Sequence, residues 1–288
     1  MARRLDAGPP KLHAVRVGGL PAWLDARRLL GPGDWRIADE AGIRLAEANL
    51  ERQAAASLVE RLRNIGFGGN ALRVEVSPPV GRTAVRAAKT DEARRRRKKT
   101  VGFVNRTTWL DEAEARYSLT PEALAVQMAK RATARGIRRV VDACVGAGGN
   151  AIAFAREGLD VVAIDNERVR LRMAAHNAEV YDVAERIRFV EGDVLSVLPS
   201  LEADLLFLDP PWGEHYDRIR TSLADLPLAE AVLRIVPAER FGAVWLKAPP
   251  SFDPASVAHA WVDAYFGEAE GDFDRVKLLL IELGAKSG

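Results

Sequence analysis

From about residue 119 onward, short and almost wholly apolar runs alternate with amphipathic stretches, and this rhythm restricts the fold more than any other feature of the chain. Arg138-Arg139-Val140-Val141-Asp142, Asp160 to Asp165, Ile187 to Val190, Ala203 to Leu208, Gly242 to Leu246 and Arg275 to Ile281 read as strands. Helices are expected from Thr120, from Asn150, over 167–179 and over 225–236. Thr120-Pro121-Glu122 suits a helix start, with a hydroxyl cap, a first-turn proline and an acid at the positive dipole end. Continuous apolar strands separated by helices must be covered on both faces, which requires a largely parallel sheet. The expected fold class is α/β and Rossmann-like, a mostly parallel sheet with helices on both faces.

The earlier part of the chain has another character. Ile43, Leu45, Leu50, Ala54, Leu58, Leu62 and Ile65 recur among charges and predict a helix within 36–66, broken by Gly66-Phe67-Gly68-Gly69-Asn70. Leu72 to Val76 alternates as a short strand, and Pro78-Pro79 ends it. Arg94, Arg95, Arg96, Arg97, Lys98 and Lys99 form the densest charge run, expected to repel itself and stay mobile until neutralised. Residues 1–118 hold 23 Lys/Arg against 14 Asp/Glu, a net of +9, whereas residues 119–288 carry a net of −7. A basic module joined to an acidic one points to a polyanionic partner, with the run at 94–99 as its contact. The expected organisation is a small basic α+β module over 1–93, a charged linker over 94–116 and a second domain over 117–288.

Several classes are disfavoured. No stretch approaches the ~20 apolar residues of a membrane span, and the N-terminus has charge without a following apolar core, so neither a span nor a secretory signal is expected. A single cysteine, Cys144, rules out an intramolecular disulfide framework and fits a reducing compartment, so a cytoplasmic location is expected. Four histidines and one cysteine, scattered, do not make a zinc site, and no metal is expected.

Four motifs carry chemistry. Asp142-Ala-Cys-Val-Gly146-Ala-Gly148-Gly149-Asn150 is a glycine-rich strand-to-helix turn that would serve NAD, FAD or S-adenosylmethionine. A carboxylate directly before the loop suits a cationic group better than a pyrophosphate. Asp165, at the tip of the next strand and followed by Asn166, can accept ribose hydroxyls, and Asp193 of Glu191-Gly192-Asp193 can meet an adenine amino group. Asp209-Pro210-Pro211-Trp212 ends the fourth strand with a restricted backbone. An exocyclic amine on a flat ring needs acceptors for its N–H bonds and a stacking face. Asp209 and the Pro210 carbonyl supply the first, and Trp212 the second. Together the motifs predict a methyltransferase that uses S-adenosylmethionine and acts on an exocyclic amino nitrogen.

Residues 116–217 resemble the RNA cap guanine-N2 methyltransferases, the trimethylguanosine synthase family. The resemblance is carried by Tyr117-Ser118-Leu119-Thr120-Pro121-Glu122, the Gly-Gly-Asn ending at Asn150, and Ala163-Ile164-Asp165. It continues through Asn177-Ala178-Glu179-Val180-Tyr181, Gly192-Asp193 and Pro210-Pro211-Trp212-Gly213. It implies a class I methyltransferase fold, with Thr120, Asp142, Gly146, Asp165 and Asp193 lining the cofactor pocket. Trp212 would stack on a guanine in RNA, and Gly148, Asn150, Asn166 and Asp209 are further candidates for contact with the donor. This chain departs from the family at Cys144-Val145, where Phe-Cys is usual. It has Asp209 where Ser is common, as in amino methyltransferases acting on adenine N6. Gly213-Glu214-His215-Tyr216 replaces the usual Gly-Gly-Pro continuation, and the Ala- and Arg-rich composition points to a bacterial type.

His215 and Tyr216 lie near enough to Trp212 to line a substrate mouth. Cys144 and His176 read as packed or surface residues, Trp245 as core, and Lys247 as a residue able to face phosphate. Other readings are an adenine-N6 or protein glutamine-amide methyltransferase, a non-catalytic RNA-binding protein retaining the fold, and a nicotinamide oxidoreductase. The target RNA and the oligomeric state are not specified by the sequence.

Overall fold

In a computed structural model, residues 12–111, 119–213, 215–236 and 240–283 are described. Arg116, Tyr117, Ser118 and Glu214, named above for the resemblance or the mouth, lie outside them.

Alternating burial builds the first layer. Along β1 (Leu12–Pro21) His13, Val15 and Val17 point inward while Ala14 and Arg16 face water. After α1 (Ala26–Leu30), capped by the Asp25 carboxylate, come β2 (Arg36–Glu40) and β3 (Ile43–Glu51). Then follow α2 (Arg52–Arg61), the two-residue strands β4 (Gly66–Phe67) and β5 (Asn70–Ala71), β6 (Arg73–Ser77) and α3 (Arg82–Arg95). The four longer strands form an antiparallel sheet in the order β2-β3-β1-β6. The single helix expected within 36–66 is therefore a hairpin followed by a shorter helix. Ala41 and Gly42 both have positive φ (53° and 82°) between the paired Glu40 and Ile43, the geometry of a tight two-residue hairpin turn. Ala46, Ala48 and Leu50 alternate with Glu47, Asn49 and Glu51, a period of two that overrides the looser helical spacing.

The second layer follows the rhythm read from the sequence. Its elements are α4 (Glu122–Ala134), β7 (Arg139–Asp142), α5 (Gly149–Arg156), β8 (Asp160–Asp165), α6 (Arg168–Val180) and β9 (Ile187–Glu191). They continue with α7 (Val194–Val197), β10 (Ala203–Leu208), α8 (Pro227–Ile235), β11 (Phe241–Ala248), β12 (His259–Phe266) and β13 (Val276–Leu283). The sheet order is β12-β13-β11-β10-β7-β8-β9. Strands β7 to β11 pair in parallel, and β13 runs antiparallel between β11 and β12. Strand β12 has no counterpart in the sequence reading. Both faces are covered: Val140, Leu205, Phe207 and Trp245 pack with α4 and α5, while Val141, Leu206, Leu208 and Leu246 pack with α8 on the other side. Trp245 is fully buried, as core. Helix α4 begins at Glu122 with Pro121 at its cap and no side-chain cap bond, so Thr120 does not serve as the cap.

The first layer docks on the β12–β13 hairpin. Phe266 joins the core of the N-terminal module, the buried Arg61 pairs with Asp274, and Thr100 bonds Asp272 through its backbone N–H (2.9 Å) and its hydroxyl (2.8 Å). Part of the basic run, expected as a linker, is helical and paired. Arg94 and Arg95 complete α3, and acids of the same chain hold four of the six cations: Asp91 with Arg94, Asp274 with Arg95, Glu92 with Arg96 and Glu270 with Lys98.

Candidate active site

The order of the large sheet reverses between β7 and β10, the place where open α/β sheets bind ligands beyond their strand ends. Asp142 ends β7 and Asp209 follows β10, so the two acids face one crevice. Asp142 is fully buried; its Oδ1 accepts the Cys144 N–H at 3.3 Å, and its Oδ2 has no partner in the protein. Burial, and then the charge of Asp209, push its carboxyl up to about 7.

The glycine loop turns where side chains would obstruct it. Gly146 and Gly148 have φ of 50° and 94°, and a Cβ on Gly148 would lie 3.1 Å from that of Ala174. A Cβ on Gly149 would come within 2.7 Å of Leu119, so the segment entering α4 lies directly on the start of α5. Asp165 fixes the loop's other side: its Oδ2 accepts the Gly146 N–H at 3.1 Å and its Oδ1 that of Glu167 at 3.0 Å. Asn166 beside it is exposed. Asp193 is exposed at the tip of β9, where its carboxylate caps α7 by accepting the Leu195 N–H at 3.0 Å.

Three buried polar atoms around this crevice lack partners in the protein: Thr120 Oγ1, Asp142 Oδ2 and Asn150 Oδ1. Such atoms are costly unless something else satisfies them. Two are acceptors only, which suits a ligand bearing cationic or N–H donors. This is the pattern a sulfonium nucleoside amino acid would satisfy, and the residues present fit S-adenosylmethionine.

Asp209 sits beside that space, with a side chain only 12% exposed. Its Oδ2 accepts from Lys247 Nζ at 2.6 Å and from Asn150 Nδ2 at 2.9 Å. Burial raises its pKa, while Lys247 and Asn150 oppose the rise. Lys247 is 3% exposed, so it is turned inward to the site rather than out to phosphate. Pro210 is buried; Trp212 is half-buried and donates its Nε1–H to the Lys247 carbonyl at 3.3 Å. The Lys247 ammonium lies 5.1 Å from the centre of the Trp212 ring, and Tyr216 meets that ring edge-on at 5.8 Å. His215 is exposed. Tyr216 also lines a cavity of about 160 Å³ between the two modules, together with Arg61, Phe67, Arg218, Asp274 and Arg275. Burial and the surrounding carboxylates hold the Cys144 thiol well above its usual range, which disfavours the thiolate.

Two residues of the Asn-Ala-Glu-Val-Tyr run act as clamps, which the sequence reading did not foresee. Asn177, fully buried, donates to the carbonyls of Ala147 and Trp109 (both 2.9 Å) and accepts the Trp109 N–H at 2.6 Å. Tyr181 donates to Glu122 at 2.5 Å and accepts the Asn105 N–H at 3.4 Å. They tie the segment around 105–109 to the glycine loop and to α4. His176 stacks on Trp109 at 3.8 Å. Four cations of the 94–99 run are held by acids of α3 and of the β12–β13 loop rather than by residues of this crevice.

A parallel sheet in this order, closed by an antiparallel last strand and bearing an acid at each of its first ligand-facing strand ends, defines a class I methyltransferase fold. The comparisons narrow the likeness: residues 137–226 match the family of RNA cap guanine-N2 methyltransferases. A trimethylguanosine synthase of Schizosaccharomyces pombe is 38% identical over 112 residues, 36% of this chain and 46% of that one. The Saccharomyces cerevisiae trimethylguanosine synthase is 31% identical over 117 residues, 38% of this chain and 37% of that one. A release factor glutamine methyltransferase of Nitratidesulfovibrio vulgaris is 36% identical over 90 residues, 30% of each chain. The chain spans less than half the length of each of these relatives.

Proposed function

We propose that this chain transfers a methyl group from S-adenosylmethionine to an exocyclic amino nitrogen of a nucleobase in RNA, with guanine N2 as the acceptor. The observation that carries the reading is the buried Asp209–Lys247 pair set against the Trp212 ring, beside a crevice lined by unpaired acceptors. When bound, the donor supplies an electrophilic methyl on a sulfonium. Asp142 and Asn150 accept from its polar groups, Asp165 holds its ribose, and Thr120 closes the space beneath α4. Asp193 is assigned to the adenine edge, its spare oxygen remaining after the cap bond.

Trp212 provides a stacking face worth about 1–3 kcal/mol for a base. Both side-chain bonds to Asp209 reach Oδ2, so Oδ1 is the acceptor left for an incoming amine N–H. Holding that amine fixes its lone pair in line with the methyl, which is the main catalytic contribution of such a site. After transfer, the nitrogen carries a surplus proton. Asp209 can take it, because burial lifts its pKa above that of an ordinary carboxylate. Tyr216 braces the Trp212 ring, and His215 is placed at the mouth.

Among the described residues no helix is long and apolar enough to cross a membrane and no side-chain cluster suits a metal. The single cysteine supports a cytoplasmic assignment. Asp209 in place of Ser favours, as a second reading, an adenine amino group as acceptor. The experiment is transfer of a labelled methyl group from S-adenosylmethionine into RNA, DNA and protein offered separately. Label in RNA alone supports the reading. Label in protein, with none in RNA, replaces it with a glutamine-amide reading, and cofactor binding without transfer to any of the three favours a non-catalytic binding protein.

A further inference from the structure

We propose that the RNA backbone lies along the solvent face of α3, on Arg82, Arg86, Lys89 and Arg97, rather than on the run at 94–99 as a whole. This deepens the RNA reading above and rests on it. Arg82, Arg86 and Lys89 fall at i, i+4 and i+7, so they project from one side of the helix, and all are exposed. Arg97, also exposed, extends the row just past the helix end. At 1.5 Å per residue the row is about 22 Å long.

The opposite side of α3 is anchored. Ala84 and Ala88 pack against Ala56 of α2, which holds the cationic face outward. The two acids within the helix are committed elsewhere, Asp91 to Arg94 and Glu92 to Arg96 and Arg275. Among the described residues no acid pairs with Arg82, Arg86, Lys89 or Arg97. The downstream run is different, since Arg94, Arg95, Arg96 and Lys98 are each already matched by an acid of this chain. Unneutralised charge releases counterions from a polyanion, and charge already paired releases far fewer.

A phosphate backbone fits this row better than a protein surface. Protein interfaces centre on apolar and aromatic side chains. Among the described residues none of the large exposed hydrophobic side chains lies on α3. The last turn of α3 is joined through Arg95 to Asp274 and through Glu92 to Arg275, which line the inter-module cavity with Tyr216, edge-on to Trp212.

The test is fluorescence anisotropy of the full chain with a labelled single-stranded RNA of mixed sequence, across a salt series. Three chains are compared: wild type, the triple variant Arg82→Gln/Arg86→Gln/Lys89→Gln, and the triple variant Arg94→Gln/Arg96→Gln/Lys98→Gln. The first variant should flatten the slope of log affinity against log salt by about 2, and weaken binding roughly tenfold or more at low salt. Its affinity for S-adenosylmethionine should stay at the wild-type value, which shows that it has folded. The second variant should change the slope by less than about 1. An unchanged slope in the first variant, or a larger change in the second, overturns the proposal. Tighter binding of wild type to DNA of the same sequence overturns the choice of RNA. Wild type that titrates S-adenosylmethionine yet binds no RNA sinks the RNA reading itself.

Discussion

Lys247 Nζ and Asp209 Oδ2 are 2.6 Å apart at the ends of two neighbouring parallel strands, and both side chains are largely removed from water. Removing one partner of a buried pair leaves the other uncompensated, at a cost of about 3–5 kcal/mol if it stays charged. Lys247→Met should therefore lower stability and drive Asp209 to its neutral form. It should cut kcat by roughly 100-fold, of the order seen when an electrostatic catalytic group is lost. Cofactor affinity should change little. The double variant Asp209→Asn/Lys247→Met should regain stability without regaining turnover. Thermal unfolding and single-turnover transfer separate the two, and a Lys247→Met enzyme with normal kcat contradicts the assigned role of the pair.

Asp142 makes the free site pH-sensitive. Its carboxyl is raised from 3.8 to about 7 in the folded, ligand-free protein. Between those values the folded state keeps a proton that the unfolded chain has lost, so stability should fall as pH rises through this window and level off above about 7. The contribution of this one group is as much as about 4 kcal/mol. Binding of a cationic donor favours the anion, so affinity for S-adenosylmethionine should rise by up to about tenfold per pH unit toward pH 7 and then flatten. Asp142→Asn should remove both dependences. Calorimetric titration across pH measures the second, and an affinity independent of pH in wild type would remove Asp142 from the donor site.

Trp212 joins the site through its ring face and through its Nε1–H bond to the Lys247 carbonyl. Trp212→Ala should abolish turnover and leave cofactor affinity within about threefold, given a stacking loss of about 1–3 kcal/mol for the base alone. Trp212→Phe keeps a face without the N–H and should retain part of the activity. Collapse of cofactor binding in Trp212→Ala would place the ring in the donor pocket instead.

Asn177 holds the glycine loop from behind. Asn177→Ala would leave the carbonyls of Ala147 and Trp109 without their donor, at a cost of about 1–3 kcal/mol each if they stay dry. The expected result is weaker S-adenosylmethionine binding and a lower melting temperature, while turnover at saturating cofactor is largely kept. Hydrogen exchange of the loop amides should accelerate. An unaltered cofactor affinity would make the clamp structural only.

The sheet was legible in the sequence because its strands are buried on both faces. Asp160–Asp165 and Ala203–Leu208 appear with the bounds read from the residues, each an apolar run entered or left at an acid. The N-terminal hairpin was not, because alanines satisfy both periodicities; Ala41-Gly42 was the local signal that settles it. Strand β12 was overlooked despite Trp261, Val262, Tyr265 and Phe266, all strand-favouring residues. The places of three acids at strand ends were readable: Asp142 and Asp165 close β7 and β8, and Asp209 follows β10. Lys247 was not, because its role depends on register: Leu208 pairs with Leu246, which sets Asp209 beside Lys247 although they are 38 positions apart. The neutralisation of Arg95 and Lys98 depends likewise on acids supplied from the β12–β13 loop, Asp274 and Glu270.

The most direct measurement is mass-spectrometric identification of the nucleoside formed when the protein and S-adenosylmethionine are incubated with total RNA, with Trp212→Ala as control. Wild type should yield N2-methylated guanosine and the variant none. N6-methyladenosine would move the acceptor to adenine while keeping the site. No methylated nucleoside, with cofactor binding intact, would contradict the account.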